Sequence, residues 1–195
     1  MVKHLIVSVY KENINWLNSI NCFDKIFIYN KGDRIIDNSI ILPNVGREAH
    51  TYVHHIVTNY FNLADFTVFL QGHPFDAMEG INEFNINEKF LSHVYNPNKH
   101  EPVFRQNLFH DGTGLTARCY QEYFNGTVPP IMFSPGAQWF VPKQNILSKS
   151  ITFYKDILEK LSVHRTHNAD GIVNAWNMEG LWNYVFDKNV TEKNC

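Results

Sequence analysis

Apolar residues fall into runs whose spacing separates strands from helices. His4 to Tyr10, around Leu5-Ile6-Val7-Ser8-Val9, is a β-branched apolar run of strand length. Ile14, Leu17 and Ile20 follow with the spacing of one face of a short helix, and Asp24 to Asn30 predicts a second strand. Lys31-Gly32-Asp33 turns the chain, Ser39 to Leu42 predicts a short third strand, and Pro43-Asn44-Val45-Gly46 is a loop that opens a helix. From Ala49 the apolar positions 49, 52, 53, 56, 57, 60 and 61 keep the 3.6-residue period, the clearest helical pattern in the chain.

Asp65 to Leu70 predicts a buried strand that Gln71-Gly72-His73-Pro74 interrupts, exposing the polar residues after it. Glu79 to Thr127, rich in Asn, Gly and Pro, predicts loops with short elements. Beyond it, Ile131 to Val141 predicts a strand pair or bent strand, and Thr152 to Leu161 and Ile172 to Phe186 predict helices. Neither a linker nor an internal repeat interrupts this order, so residues 1–195 predict one α/β domain with a mainly parallel or mixed central sheet flanked by helices. Ligands of such sheets bind at the carboxyl ends of strands. Here those ends are Ser8-Val9-Tyr10, Tyr29-Asn30 and Gln71-Gly72-His73, polar where the apolar runs stop.

Composition narrows the function. With 44% hydrophobic and 14% aromatic residues, the 195-residue chain can bury one core, which excludes disordered and fibrous classes. Seventeen Lys and Arg against 19 Asp and Glu leave a formal charge of −2 without long runs of either sign, which argues against nucleic acid as the main partner. Cys22, Cys119 and Cys195 are few, odd in number and far apart, the pattern of a reducing compartment. The first apolar run is too short for a membrane span or a signal-peptide core, and Lys11-Glu12 closes it. The expectation is a soluble cytoplasmic protein with no membrane span.

Four constellations carry candidate chemistry. In Asn44-Val45-Gly46-Arg47-Glu48-Ala49-His50 a glycine loop feeds a helix, whose N-terminal amides and dipole suit an anion, and Arg47 adds a forked donor. A turn followed by surface residues accounts for the same string equally well. His50 and His54, spaced i, i+4, suit zinc but belong to no HExxH pattern. In Gln71-Gly72-His73-Pro74-Phe75-Asp76, His73 and Asp76 can share a divalent ion, while ordinary turn chemistry is the plainer reading. Ser134-Pro135-Gly136-Ala137-Gln138-Trp139-Phe140 offers Trp139 as a stacking platform and Gln138 for hydroxyls, or else a core tryptophan. In Trp176-Asn177-Met178-Glu179-Gly180-Leu181-Trp182, Glu179 stands among bulky apolar neighbours that would raise its proton affinity, and Gly180 leaves room beside it; a helix carboxylate facing water is the alternative.

Read in order, Ile6-Val7-Ser8-Val9-Tyr10-Lys11-Glu12, Trp16-Leu17, Ile28-Tyr29-Asn30-Lys31-Gly32, Leu42-Pro43-Asn44-Val45-Gly46-Arg47-Glu48, Phe69-Leu70-Gln71-Gly72-His73-Pro74, Ser134-Pro135-Gly136-Ala137-Gln138 and Glu179-Gly180-Leu181-Trp182 span nearly the whole chain. Together they resemble an uncharacterised GT-A-like family that includes a chlorella-virus glycosyltransferase domain associated with capsid glycans. The resemblance implies a metal-assisted glycosyltransferase that uses a nucleotide-diphosphate-sugar donor, a UDP-sugar, with Mn2+ or Mg2+, a glycan or glycoprotein acceptor and, for a viral chain, the host cytoplasm. Carried onto this sequence, Ser8, Tyr10, Tyr29, Asn30, Lys31, Arg47, His50 and Gln71 would line the donor, and Gln138 and Trp139 the acceptor. Arg47 would stabilise the departing diphosphate, and Glu179 would activate or orient the acceptor hydroxyl. Gln71-Gly72-His73 stands where GT-A enzymes carry Asp-x-Asp, a departure that leaves Asp76 as the main metal ligand and His73 as the second. The rival readings are a non-catalytic nucleotide- or glycan-binding module of the same fold and a metal hydrolase built on His50, His54 and Asp76.

Overall fold

The computed structural model describes residues 1–104, 108–110, 114–163 and 173–193. Six strands form one mixed sheet: β1 (Lys3–Val9), β2 (Lys25–Asn30), β3 (Ile40–Ile41), β4 (Phe66–Gln71), β5 (Glu101–Pro102) and β8 (Trp139–Pro142), in the order β3-β2-β1-β4-β8-β5. The first four strands are mutually parallel, and β8 runs antiparallel to both β4 and β5. A separate antiparallel ribbon joins β6 (Leu108–His110) to β7 (Ile131–Phe133). Ile131 to Val141 is therefore two strands in two sheets. They are parted where Gly136 and Ala137 take positive φ values of 80° and 51°, which reverses the chain.

Buried strands of a parallel sheet are apolar on both faces, and β1 divides its side chains between two cores. Leu5, Val7 and Val9 join Trp16, Leu17, Val68, Leu70, Ile86 and Phe90 on one face. Ile6 faces the other core with Phe69, Tyr52, Val53, Ile56, Trp139, Ile157, Leu161 and Trp182. That second core lies under α1 (Arg47–Asn59), α5 (Ile151–Val163) and α6 (Ala175–Val185); the first is covered by the short helix Asn15–Ser19 and α2 (Ile86–Ser92). α1 buries Ala49, Tyr52, Val53 and Ile56, four of the positions whose period predicted it.

The region expected to be loops contains, besides α2, a ten-residue helix, α3 (Gly114–Tyr123). It buries Thr116, Cys119, Tyr120 and Tyr123, a helical stripe made without aliphatic residues. A four-residue helix, α4 (Lys143–Ile146), follows β8 directly. The last helix starts at Ala175, capped by the Asn174 side chain, which accepts from Asn177 N–H at 3.0 Å; Ile172, where it was expected to begin, lies outside the described residues. Among the described residues no helix is long and apolar enough to cross a membrane.

Candidate functional site

β1 has β2 on one side and β4 on the other, so the connections leaving it diverge. In open α/β sheets the ligand crevice forms at such a switch point, beyond the carboxyl ends of the strands. A cavity of about 250 Å3 lies there, lined by Ser8, Val9, Tyr10, Glu12, Lys31, Asn44, Arg47, Glu48 and Gln71. Ser8 Oγ pairs with Thr51 Oγ1 at 2.8 Å and ties the end of β1 to α1. Trp16 Nε1 donates to Gly72 O at 2.9 Å and holds the end of β4 from the other face.

The wall formed by residues 44–48 is strained and braced. Gly46 and Arg47 both take left-handed backbone angles, φ 57° and 48°. For arginine that conformation costs about 1–2 kcal/mol. A Cβ on Gly46 would lie 2.9 Å from His50 Cβ and 3.0 Å from Leu161 O, so the turn needs glycine on steric grounds as well. The Lys31 ammonium donates to Arg47 O at 2.5 Å and also to Val45 O, fastening both ends of the turn. Burial, against the opposing pull of Glu48, lowers the Lys31 ammonium to about 8.

Contacts between distant segments join the four constellations. The Arg47 guanidinium carbon lies 4.6 Å from the centre of the Trp176 ring, a cation–π stack between the start of α1 and the start of α6. Trp176 and Glu179 border a second cavity, of about 320 Å3, with Thr116, Ile131, Phe133, Asn177 and Gly180. Half-buried Glu179 accepts from Gly136 N–H at 2.9 Å, which anchors α6 to the loop before β8. Gln138 Nε2 donates to Pro74 O at 2.9 Å, which anchors that loop to the turn after β4.

Five donor-side expectations, Ser8, Tyr10, Lys31, Arg47 and Gln71, meet in the first cavity. Three others do not line it. Tyr29 is buried, its hydroxyl paired with His55 Nδ1 at 2.9 Å, because it faces α1 from beside Ser8 in the sheet. Asn30 is fully buried and closes its own turn, donating to Arg34 O and accepting from Gly32 N–H. His50 is buried beneath Gly46, and its ring stacks against His54 at 6.1 Å. Trp139 is fully buried in the core, so it has no face to offer a sugar, and Gln138 is likewise buried as a structural brace. The room expected beside Gly180 is taken on one side by Thr116 and Ile131, whose methyl groups would lie 2.8 Å and 3.2 Å from a Cβ there.

His73 Nε2 and Asp76 Oδ1 lie 3.6 Å apart on the exposed turn after β4, with the Asp76 side chain 91% exposed and neither residue lining the first cavity. Among the described residues no three His, Cys, Asp or Glu gather to hold a metal, so His50 and His54 do not combine with Asp76.

Two residues of the first cavity went unnoticed in the sequence. Glu12 accepts from Tyr10 and Lys11 N–H at 2.6 Å and 3.0 Å, folding its carboxylate back over the end of β1. Glu48 is only 11% exposed, with Oε2 3.9 Å from Arg47 Nε. Burial raises its carboxyl above the usual range and nearby Glu179 pushes the same way, against its own N–H, Arg47 and Lys31. Glu179, which borders the second cavity, thus lies within electrostatic reach of Glu48 in the first.

A family model described as a protein of unknown function (DUF3431) matches residues 5–94, from β1 through α2. That stretch contains every residue lining the first cavity and none lining the second. Neither the curated proteins nor the solved structures include a significant match to this chain.

Proposed function

We propose that this chain is a GT-A-type glycosyltransferase that moves a sugar from a nucleotide-diphosphate donor of the UDP class to a glycan hydroxyl. One observation carries the reading: the switch-point cavity, lined by Ser8, Tyr10, Lys31, Arg47 and Gln71, is linked to a second cavity bearing Glu179 by the stack of Arg47, from the first, on Trp176, from the second. A transferase needs that arrangement, a donor pocket and an acceptor pocket that share an edge where the bond is exchanged. The sequence resemblance supports the same assignment.

Charge accumulates on the diphosphate as it leaves, and preorganised donors stabilise it best because they need not reorganise during reaction. Arg47 is such a donor, held in place by its strained turn and by the face of Trp176. Lys31 contributes indirectly, by bracing that turn through Val45 and Arg47 carbonyls. Glu179, positioned by Gly136 N–H, would receive the proton of the acceptor hydroxyl in an inverting reaction or bind that hydroxyl in a retaining one.

His73 and Asp76 are a fit for a divalent ion only as a partial set. His73 and Asp76, 3.6 Å apart on the exposed turn after β4, are the two residues that would hold it. Mn2+ or Mg2+ held there would supply Lewis-acid stabilisation of the diphosphate. The small number of metal donors keeps a second reading in play, a binding module of the same fold without turnover.

Melting temperature in the presence of UDP, GDP or CMP, each with and without Mn2+, tests binding, because a ligand specific for the native state raises it. UDP with Mn2+ should give the largest rise, and no rise with any nucleotide would sink the proposal. Binding without sugar release from any UDP-sugar, in the presence of a glycan acceptor mixture, would favour the module.

A further inference from the structure

The charges that line the switch-point cavity are balanced, two cations and two carboxylates, and they are not equally available. The Lys31 ammonium is spent on two backbone carbonyls of its own wall. The Arg47 guanidinium stacks on Trp176 while its Nε lies 3.9 Å from Glu48 Oε2, which leaves the rest of the Glu48 carboxylate to a ligand. Glu48 is the second residue of α1, so its negative charge offsets the positive helix end that would otherwise attract phosphate. Glu12 presents a second carboxylate, fixed by two backbone N–H groups, and Gln71 adds an amide.

Building on the nucleotide-sugar reading, we propose that this cavity is a subsite for a vicinal diol, in which Glu48 and Glu12 accept hydrogen bonds from the hydroxyls of a ribose or sugar ring, while the phosphates lie outside it toward Arg47. Carboxylates accept and cannot donate, so hydroxyl hydrogens satisfy them where phosphate oxygens are repelled. A half-buried carboxylate bonded to a hydroxyl is also stronger than a neutral pair, which makes it a sharp reader of the hydroxyl's presence. In dinucleotide-binding sheets an acidic side chain near a switch point serves the ribose in the same way.

Calorimetry on the whole chain, with Mn2+ held constant, tests this using UDP, 2′-deoxy-UDP, UDP-glucose, UDP-galactose and inorganic pyrophosphate as probes. Wild type, Glu48→Gln and Glu12→Gln are compared after melting curves confirm folding. If Glu48→Gln does not fold, Glu12→Gln carries the comparison. Pyrophosphate should bind weakly and respond to neither substitution, whereas nucleotide or nucleotide-sugar affinity should fall roughly tenfold to a hundredfold in the variants, the range for hydrogen bonds to charged groups.

A ribose diol is identified when 2′-deoxy-UDP loses as much affinity as the variant does and loses nothing further in it. A sugar diol is identified when UDP and 2′-deoxy-UDP bind alike and the variants weaken only the UDP-sugars. Unchanged affinities in both variants, or pyrophosphate that binds tightly and binds more tightly to Glu48→Gln, would overturn the proposal. If no nucleotide binds wild type, the transferase reading fails by itself, and methyl glucoside and methyl galactoside decide the diol subsite. Binding of these glycosides that Glu48→Gln weakens upholds it, and absence of binding overturns it.

Discussion

Acidification should destabilise this fold well before its carboxylates titrate, through two histidines of α1. His50 and His55 are 4% and 1% exposed, and His50 Nδ1 and His55 Nε2 are buried without a hydrogen-bond partner. Burial lowers His50 to about 4, helped by Lys31 and His54, and lowers His55 to about 3, helped by His4, His54 and Lys25. In the unfolded chain both would titrate near 6.5. Below that value the unfolded state takes up protons that the native state refuses, so stability falls with pH until the native pKa values are reached.

Each such proton removes at most about 1.4 kcal/mol per pH unit, so the pair should remove roughly 2–3 kcal/mol between about pH 6 and pH 5. That is a large share of the ~5–15 kcal/mol available to a domain of ordinary stability. Urea unfolding midpoints, read at half-unit intervals from neutral pH down to about pH 5, measure the slope above the ordinary carboxylate range. His4, His54, His93 and His100, which burial also lowers, add to the slope. His50→Gln and His55→Gln should therefore each remove about 1 kcal/mol of the loss, and the glutamine oxygen at position 55 can still accept from the Tyr29 hydroxyl. A midpoint that stays level across this interval, or a double variant that falls as steeply as wild type, would refute the reasoning.

Arg47→Lys should weaken donor binding or turnover with little change in melting temperature, because lysine keeps the charge and loses the fork; unchanged donor affinity with a large stability loss would make Arg47 structural. Glu179→Gln should retain UDP-sugar binding and lose at least roughly 100-fold in transfer rate, and a wild-type rate at saturating substrates would eliminate Glu179 as the base. Calorimetry on Asp76→Ala should show UDP binding without its manganese dependence, and undiminished metal linkage would move the ion elsewhere. Gly46→Ala, which puts a Cβ 2.9 Å from His50 Cβ at φ 57°, should lower stability by about 1–3 kcal/mol, as denaturant midpoints would show.

Where side-chain period decides the outcome, the amino-acid pattern was enough. β1, β4 and α1 lie within two residues of their expected bounds, and the ends of β1 and β4 bring Ser8, Tyr10 and Gln71 to one cavity. The same rule explains two misplacements. Polarity at a strand end does not reveal which way a side chain faces, and Tyr29, beside Ser8 in register, points into the core under α1. Trp139 likewise lies in β8 against β4, a pairing across some seventy residues that no local pattern announces. α3 escaped because its buried stripe of Thr116, Cys119, Tyr120 and Tyr123 carries a helical period in residues that a hydropathy reading discounts.

The acidic half of the site was invisible for a different reason. Glu12 and Glu48 are ordinary residues of a turn and a first helical turn until the fold brings β1, β4 and α1 around them. Burial is a property of that assembly, and burial is what takes Glu48 out of bulk solvent and raises its carboxyl above the usual range. The joining of the constellations is equally non-local, resting on Gly136 N–H to Glu179, Gln138 to Pro74 and Arg47 over Trp176. Because Arg47 lines the first cavity and stacks on Trp176 of the second, a ligand that moves its guanidinium should be felt in both. If the transferase proposal holds, a donor that draws Arg47 away from Trp176 would also alter the rim of the cavity bearing Glu179, and the two binding steps should then be coupled.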